Sequence, residues 1–356
     1  MISVIGGGPA GSYSAYILAK EGYEVNVYEE HKEIGSPIQC SGVITPEVEK
    51  FIPLRKDIIV NRIKKVRFHA PNKKFFDVKI KEDYVFDRGK LDKHIASLAE
   101  KEGARFFLNS RFESLESRSG KIKFRVNNNY EYSNYLVGAD GPFSKVAKSV
   151  GLLENREYII GLQARARCDV TDKNLVEIFL GMGEFAWLIP ENDGTARIGV
   201  DGENAHKKEF DSLLKLKNAK ILCYQSGVIP LYNPKFKTQK ENVFLIGDSA
   251  GMVKTSSHGG ILFSMLAGQA LVDSIKNNED YERLWKKKIG LDLWLHLKIR
   301  NTLKNFSAEN YNDLVYYFSQ KKLKDILSEN VREFPSKFVA NMLFKEPRLL
   351  KFVLKM

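Results

Sequence analysis

The stretch ISVIGGGPAG, at residues 2–11, decides the fold. Residues that favour strands lead into glycines with the spacing G-x-G-x-x-G, and the residues that follow carry apolar side chains at helical spacing. In this pattern Gly6 permits a tight turn, Gly8 lets the backbone approach a pyrophosphate, and Gly11 lets the helix pack closely on the strand. The stretch therefore predicts the strand, turn and helix of a dinucleotide-binding unit.

The residues around these glycines complete the unit. Pro9 suits the first turn of a helix, and the free N–H groups near Pro9 and Ala10, together with the positive end of the helix, attract a phosphate. A second strand is predicted at residues 24–28, and Glu29 follows it, in position to accept hydrogen bonds from a ribose. We expect Pro9, Ala10 and Glu29 to bind a dinucleotide together with the glycines. A glycine-rich turn without a ligand is the open alternative.

The composition is that of an ordinary globular protein. The chain has 356 residues, of which 43% are hydrophobic and 28% are charged, which is enough for a sizeable core and two or three domains. It contains no run of roughly eighteen apolar residues, and we expect no secretory leader. The three cysteines lack the spacing of a disulfide framework or a metal site. We therefore expect a cytoplasmic location and no metal.

The net charge is unevenly distributed along the chain. The formal net charge is +12, and residues 281–356 contain 16 Lys or Arg against 8 Asp or Glu, an excess of +8. Such a basic region favours a nucleic acid, an anionic membrane surface or an anionic substrate as partner, although a solvated basic face is the plain alternative. Apolar residues at helical spacing among the basic ones predict an amphipathic helix. That helix would either lie on the inner face of the cell membrane or pack on its own domain. The residues concerned are Phe334, Lys337, Phe338, Met342, Leu343, Lys345, Arg348, Lys351 and Lys355.

Two later segments extend the opening pattern: GADGPFSKV at residues 138–146 and FLIGDSAG at residues 244–251. In this order, after the first motif, they resemble the motifs of the FAD-containing aromatic-hydroxylase superfamily. The resemblance implies FAD as the cofactor and a Rossmann-like FAD-binding domain. It also implies that Asp248 binds the ribityl chain, that Asp140 belongs to the flavin site, and that Arg88, just before a predicted helix, contacts the cofactor.

The third motif also has chemical reasons to bind a flavin. The Asp248 carboxylate can accept hydrogen bonds from flavin hydroxyl groups. Gly259 and Gly260 permit a close backbone approach, and the helix predicted to begin there and continue through Ile261 directs its positive end at the same place. Such an end would stabilise an anionic reduced flavin. We therefore expect Gly259, Gly260 and Ile261 to contact the cofactor.

Four further segments narrow the resemblance. They are IPL at residues 229–231, VKTSSHGGI at residues 253–261, SPIQCSG at residues 36–42 and FAWLIP at residues 185–190. These segments resemble those of the geranylgeranyl reductases, above all of the archaeal enzymes that act on digeranylgeranylglycerophospholipids. That family implies FAD-dependent saturation of C=C double bonds in geranylgeranyl chains by hydride transfer from reduced flavin. The implied substrate is an archaeal-type glycerophospholipid precursor, and the implied process is isoprenoid phospholipid biosynthesis.

Several residues depart from the family pattern. Phe185 stands where the family has Tyr, Ile189 where it has Phe, and His258 where it has Gly. The FAWLIP segment also resembles a segment of the flavin halogenases, so an FAD-dependent hydroxylase, monooxygenase or halogenase is the first alternative. A nucleic-acid-binding flavoprotein is the second alternative, suggested by the charge but without an RNA-binding signature.

Four side chains are candidates for the substrate chemistry. An isolated trisubstituted alkene resists direct hydride attack, whereas protonation would give a tertiary carbocation that an aromatic face can stabilise. We expect Phe185 and Trp187 to contact the substrate, Trp187 and Cys40 to act catalytically, with Cys40 also close to the cofactor, and His258 to donate the proton. The plain alternatives are core packing for the aromatic residues and the cysteine, and a cap at a helix start for His258.

The predicted fold is an α/β flavoprotein with a Rossmann-like FAD-binding domain, an antiparallel-sheet substrate domain and a helical C-terminal region. Residues 1–55, 85–155 and 240–280 are predicted to form the FAD-binding domain, residues 56–84 and 156–239 the substrate domain, and residues 281–356 the helical region. Cys168 and Cys223 fall in predicted strands, where we expect them in the core. A turn is predicted at Gly120.

Overall fold

A computed structural model describes residues 1–117, 121–152, 155–204 and 206–353, so that Gly120 and Lys355 lie outside the described residues. The chain divides into two compact units. The first comprises Met1–Ile38, Arg88–Glu157 and Pro230–Trp294, and the second comprises Gln39–Asp87, Tyr158–Ile229 and Leu295–Met356. The helical C-terminal region is thus divided after Trp294. The domain boundaries inferred from the sequence stay a prediction.

Strands and helices are numbered in chain order. The strands are β1 (Ile2–Ile5), β2 (Val25–Tyr28), β3 (Val43–Ile44), β4 (Ile59–His69), β5 (Phe75–Phe86), β6 (Arg105–Phe107), β7 (Phe112–Ser117), β8 (Ile122–Val126), β9 (Asn129–Ser133), β10 (Tyr135–Gly138), β11 (Tyr158–Arg167), β12 (Leu175–Leu180), β13 (Phe185–Pro190), β14 (Thr195–Gly202), β15 (Lys220–Tyr224), β16 (Gly227–Pro230), β17 (Gln239–Lys240) and β18 (Val243–Leu245). The helices are α1 (Pro9–Lys20), α2 (Arg88–Lys101), α3 (Lys145–Ser149), α4 (Lys207–Leu216), α5 (Ile261–Asn277), α6 (Tyr281–Trp285), α7 (Leu291–Lys304), α8 (Ala308–Phe318), α9 (Lys321–Glu329), α10 (Val339–Lys345) and α11 (Leu350–Val353).

The first unit is built on a largely parallel sheet. Its strands lie in the order β17-β18-β10-β1-β2-β6, and all neighbours are parallel except β17 and β18. Every residue of β1 is buried, and Ile5 at its end lies opposite Gly138 of β10 and Tyr28 of β2. Because the carboxyl ends of parallel strands meet at one edge of a sheet, the segments that follow β2, β1, β10 and β18 lie side by side. These segments carry Glu29 and the three glycine-containing motifs.

Helix α1 contacts both α2 and α5 in this unit. Gly268 of α5 permits the close approach of α1 and α5, because a Cβ atom at Gly268 would lie 3.2 Å from Cδ1 of the buried Tyr13 in α1. Strands β7, β8 and β9 form a separate three-stranded antiparallel sheet.

The second unit contains a larger sheet. Its strands lie in the order β15-β11-β14-β13-β12-β4-β5-β3, and β16 also pairs with β11. Neighbours in this order are antiparallel, as the predicted antiparallel-sheet domain requires, except β12 and β4, which run parallel. An apolar cluster on this sheet packs against α4 through Phe210 and Leu213. A second cluster contains Trp187, with Phe185 packed against it.

The helices that follow β16 in the second unit pack on this sheet and on each other. The ring of Phe318 in α8 stacks on Phe76 of β5, with ring centroids 6.1 Å apart. Phe338, Met342 and Leu343 belong to an apolar cluster with Leu323 of α9. Among the described residues, no helix is long and apolar enough to cross a membrane.

The two other cysteines differ in their surroundings. The prediction that Cys223 lies in the core is wrong, because it is exposed on β15, which is the edge strand of its sheet. Cys168 is partly buried, and this burial raises the pKa of its thiol to about 11.

Candidate functional site

The turn after β1 has the geometry of a phosphate-binding turn. Gly6 adopts φ +104°, which side chains disfavour, and a Cβ atom there would lie 2.3 Å from the carbonyl oxygen of Ala139. A Cβ atom at Gly11 would lie 1.9 Å from the carbonyl oxygen of Gly6, so only glycine lets α1 pack this closely on the turn. At Gly8, in contrast, a Cβ atom would meet nothing within 4 Å. The turn is therefore closed on its protein side and open at Gly8, where a pyrophosphate would approach.

Pro9 and Ala10 form the first turn of α1, as predicted, with Gly8 as the residue before the helix. Glu29 directly follows β2 and is buried. Its Oε2 accepts a hydrogen bond of 2.6 Å from the Gly7 N–H, and its Oε1 accepts one of 2.9 Å from the His31 N–H. Glu29 thus joins the ends of β1 and β2 and holds a carboxylate beside the glycine turn.

Asp140 stabilises the start of α3. Its Oδ1 accepts a hydrogen bond of 2.6 Å from the Ser144 hydroxyl, and its Oδ2 accepts one of 3.1 Å from the Val146 N–H. Burial raises the pKa of Asp140, and these hydrogen bonds oppose the shift. The Asp-Gly motif therefore builds the turn after β10, and its carboxylate has protein donors on both oxygens.

Asp248 has different surroundings, in the turn after β18. The described residues donate no hydrogen bond to its carboxylate, and burial raises its pKa to about 6, while the charges of Arg88 and Arg156 oppose the shift. Arg156 also donates hydrogen bonds of 3.1 Å and 2.7 Å to the backbone carbonyls of Asp248 and Ser249. Arg88, at the start of α2, bonds to Asp92 at 2.9 Å. A partly buried carboxylate that has no protein donor among the described residues is suited to accept hydrogen bonds from the hydroxyl groups of a ligand.

The loop before α5 folds back on itself. The Lys254 N–H donates to the Gly259 carbonyl at 3.1 Å, and the His258 N–H donates to the Lys254 carbonyl at 2.7 Å. The Lys254 side chain is only 5% exposed, and its Nζ would lie 3.2 Å from a Cβ atom at Gly259. A Cβ atom at Gly260 would lie 3.4 Å from Oδ1 of Asp248. The start of α5, at Ile261, therefore combines a buried ammonium group with the positive end of a helix.

One further observation supports a ligand rich in polar atoms. The Thr255 hydroxyl is fully buried and has no hydrogen-bond partner among the described residues. Unpaired buried hydroxyls are uncommon in native proteins, so this group fits a site that a bound molecule completes. The open face at Gly8, the Asp248 carboxylate and the electropositive start of α5 together suit the phosphates, the hydroxyl chain and the ring system of FAD.

The predicted residues Cys40, Phe185 and Trp187 belong to the second unit. Cys40 lies in the loop before β3, where its Sγ accepts a hydrogen bond of 3.3 Å from the Gly42 N–H. The buried Arg197 donates to the Ser41 carbonyl, and the Phe86 N–H donates to the Gly42 carbonyl at 2.9 Å. The Cys40 loop is therefore held by the sheet of its own unit.

Phe185 and Trp187 lie on β13 with ring centroids 5.7 Å apart. The indole Nε1 of Trp187 donates a hydrogen bond of 2.8 Å to Oε1 of Gln163. Both aromatic rings contact the apolar cluster of this sheet, which includes Ile63, Val85 and Ile189.

Sequence reasoning missed Arg156, Asp92, Arg197 and Gln163. Arg156 and Arg197 act on backbone carbonyls that are distant along the chain, and no local pattern announces such contacts. Gln163 could have been recognised from the sequence, because it is a polar residue in a strand whose other buried residues are small or apolar. A polar residue in such a place needs a buried partner.

Fold and site define a Rossmann-like dinucleotide-binding protein. Residues 4–43 match the family model of the NAD(P)-binding Rossmann-like domain. The fold is also similar to that of a flavin-dependent brominase, with a TM-score of 0.70, 17% identity, and 91% of each chain covered. At this identity the likeness concerns the fold alone.

More similar proteins share the whole length of the chain. The digeranylgeranylglycerophospholipid reductase of Methanocaldococcus jannaschii is 28% identical over 99% of this chain and 96% of the relative. The protein of the same name from Methanococcus vannielii is 29% identical over the same shares of the two chains. A geranylgeranyl bacteriochlorophyll reductase-like protein of Thermoplasma acidophilum has a TM-score of 0.84 and 25% identity, covering 99% of this chain and 98% of its own. The predicted resemblance and the predicted α/β fold class are confirmed.

Proposed function

We propose that this protein is an FAD-dependent reductase that saturates C=C double bonds in geranylgeranyl chains of an archaeal-type glycerophospholipid precursor. The observation that carries the proposal is the similarity, over nearly the full length, to digeranylgeranylglycerophospholipid reductases. The chain is an FAD-dependent oxidoreductase, and its substrate is a lipid. The flavin halogenases share the fold at lower identity, so nothing favours them over the reductases.

The first unit supplies the residues that hold FAD. Gly6, Gly8 and Gly11 form the turn that receives the pyrophosphate. The pyrophosphate would lie at Gly8, where a Cβ atom would meet no protein atom within 4 Å. Glu29 accepts hydrogen bonds from the ribose, and Asp248 accepts them from the ribityl hydroxyls. The remaining residues of this unit that contact the cofactor in this proposal are Pro9, Ala10, Arg88, Asp140, Gly259, Gly260 and Ile261. When bound and reduced, FAD supplies a hydride.

The other residues act on the substrate. Each double bond gains one proton and one hydride, and the protonated alkene carries its positive charge on a tertiary carbon. The faces of Trp187 and Phe185 stabilise that charge in a dry apolar pocket. Cys40 contacts the prenyl chain near the reacting carbons, and His258 serves as the general acid that donates the proton.

Anaerobic turnover tests this proposal. The protein is reduced with dithionite and mixed with a digeranylgeranylglycerophospholipid in detergent, and the lipid is analysed by mass spectrometry. We expect products that gain two hydrogen atoms for each double bond saturated, and no such products from the FAD-free protein. Lipid that keeps all its double bonds, or that gains oxygen or halogen when air is admitted, would overturn the reductase proposal.

Variants test the two substrate-side residues. Cys40→Ala and Trp187→Leu should each lower turnover by about 30-fold, the rate factor that corresponds to loss of one desolvated cation–π contact or a comparable interaction. Bound FAD, measured by its absorbance, should stay unchanged, because neither residue belongs to the unit with the glycine turn. Cys223→Ala, a change at an exposed cysteine, is the matched control. Wild-type turnover in both variants would remove these residues from the mechanism.

We also propose that the helical region docks on an anionic membrane, although through other residues than the sequence suggested. Phe338, Met342 and Leu343 pack inside the second unit. Phe344, in contrast, is 84% exposed, and Tyr316 and Leu350 are also exposed. These apolar side chains occur among lysines and arginines that favour anionic lipid. Docking there would keep the protein on the inner face of the membrane that contains its substrate.

A further inference from the structure

Three residues of the second unit lie opposite one another on three adjacent strands. Gln163 on β11 is the partner of Gly199 on β14, and Gly199 is the partner of Trp187 on β13. Two strand spacings separate the backbones of Gln163 and Trp187, which is about 10 Å. The indole Nε1 nevertheless donates a hydrogen bond of 2.8 Å to Oε1 of Gln163. The Trp187 side chain therefore reaches across β14 to the strand beyond it.

The glycine on the middle strand makes this reach possible. A Cβ atom at Gly199 would lie 2.3 Å from Cζ2, 2.5 Å from Cε2 and 2.9 Å from Nε1 of Trp187. Even an alanine would occupy the place of the indole. The ring therefore lies over the backbone of β14, with one face toward the sheet.

The acceptor at the far end is itself fixed. Nε2 of Gln163 donates a hydrogen bond of 3.0 Å to Oε1 of Gln225, and the Gln225 N–H donates to the Gln163 carbonyl at 2.8 Å. Gln163 is 3% exposed and Trp187 is 8% exposed. A buried indole N–H that loses its acceptor pays a desolvation penalty, so other orientations of the ring are disfavoured. The amide of Gln163 thus selects one orientation of the indole.

We infer that Gln163 and Gly199 are positioning residues that hold the Trp187 indole against the sheet, so that its other face is presented to the prenyl chain. This inference rests on the proposed function. The attraction between a cation and an aromatic ring requires the cation above the ring face. A tilted indole would still offer apolar surface to the chain, but it would stabilise the charged transition state less. Loss of the positioning residues should therefore lower kcat and leave KM nearly unchanged.

Four variants test the inference. Gln163→Leu removes the acceptor of the indole N–H, and Gln163→Glu keeps an acceptor oxygen on a side chain of the same length. Gly199→Ala displaces the Trp187 ring while keeping Gln163. Gly161→Ala, on β11, is the control, because a Cβ atom there would have only ordinary contacts at 3.5 Å. We expect Gln163→Leu and Gly199→Ala to lower kcat by up to about 30-fold with KM changed less than about threefold. Gln163→Glu should restore most of kcat, and Gly161→Ala should behave as wild type.

A second readout does not depend on activity. The difference between the tryptophan fluorescence of wild type and that of Trp187→Phe gives the contribution of Trp187. In Gln163→Leu this contribution should become more accessible to quenching by acrylamide, and in Gln163→Glu it should not. If Gln163→Leu changes neither the quenching of the Trp187 fluorescence nor kcat, the inference is overturned. If the wild-type protein does not reduce prenyl lipids but the quenching changes as expected, the proposed function fails while the positioning of Trp187 stands.

Discussion

Asp248 and Asp140 are two aspartates in similar turns whose carboxylates have different hydrogen-bond partners. The charges of Arg88 and Arg156 lower the pKa of the Asp248 carboxylate, yet desolvation outweighs them and raises that pKa to about 6. Desolvation also raises the pKa of Asp140, but its oxygens accept hydrogen bonds from Ser144 and Val146. The Asp248 carboxylate therefore suits a ligand with hydroxyl groups, whereas the Asp140 carboxylate mainly fixes the turn after β10. Residue type alone did not distinguish these two roles, because each aspartate follows a strand and adjoins a glycine.

The raised pKa of Asp248 predicts a pH dependence of stability in the FAD-free protein. Because the pKa in the folded state lies above the usual value of about 4, the folded protein is favoured while Asp248 is protonated. This contribution is complete below pH 4 and is lost as the pH rises toward 6. Asp248→Asn, which cannot ionise, should therefore be more stable than wild type at pH 8 and unfold at a higher urea concentration. The gain in the free energy of unfolding should be about 3 kcal/mol at most, and at pH 4 the two proteins should differ little. Equal midpoints for the two proteins at pH 8 would contradict the assigned shift.

The same residue should make FAD binding depend on pH in the opposite sense. Ionised Asp248 accepts hydrogen bonds from two hydroxyl groups, while its protonated form must donate at one oxygen. We expect the dissociation constant of FAD to rise as the pH falls through about 6 in wild type. In Asp248→Asn the affinity should be weaker and should change little across that range. Fluorescence titration of the FAD-free protein at pH 5 to 8 measures both, and a wild-type affinity independent of pH would remove Asp248 from the site.

At the scale of elements, the opening β1–α1 segment was predictable because its requirements are local. Gly6 needs a positive φ and Gly11 needs space that no side chain leaves, and both needs appear directly in the residue types. The contact between Gln163 and Trp187 was not predictable, because it depends on the pairing of β11, β14 and β13. Strand register of this kind is decided by the whole sheet. The exposure of Cys223 was missed for the same reason, since alternation does not tell an edge strand from a central one.

The β1–α1 turn yields a prediction that separates folding from cofactor binding. Gly8→Ala should leave the FAD-free protein as stable as wild type, because its Cβ would meet no protein atom within 4 Å, but FAD should bind much more weakly. Gly11→Ala should destabilise the FAD-free protein itself, since its Cβ would overlap the Gly6 carbonyl oxygen at 1.9 Å. Thermal unfolding with and without FAD measures both effects. If Gly8→Ala keeps the FAD-dependent rise in Tm, the pyrophosphate does not lie at this turn.

For the whole molecule, the net charge and the proposed prenyl-lipid substrate both favour binding to an anionic membrane. The formal net charge of +12 includes the excess of +8 that residues 281–356 carry. An anionic bilayer attracts such a region within a Debye length, and apolar side chains that enter the interface make the attachment more lasting. The proposed substrate, with its geranylgeranyl chains, is confined to the same bilayer. Basic charge and exposed apolar residues are therefore expected together in a protein that takes its substrate from a membrane.

This combination predicts how the protein should bind vesicles. At low salt the protein should float with vesicles that contain phosphatidylglycerol and remain free of neutral vesicles, because each surface lysine or arginine contributes about 1 kcal/mol of attraction. High salt should release most of it. A double variant, Phe344→Ser with Leu350→Ser, should bind several-fold more weakly, since it removes exposed apolar side chains. Leu216→Ser, which changes a leucine of α4 that is 64% exposed, should bind as wild type. Equal flotation of the double variant and wild type would show that Phe344 and Leu350 do not enter the membrane, and flotation that salt does not weaken would exclude the electrostatic attraction.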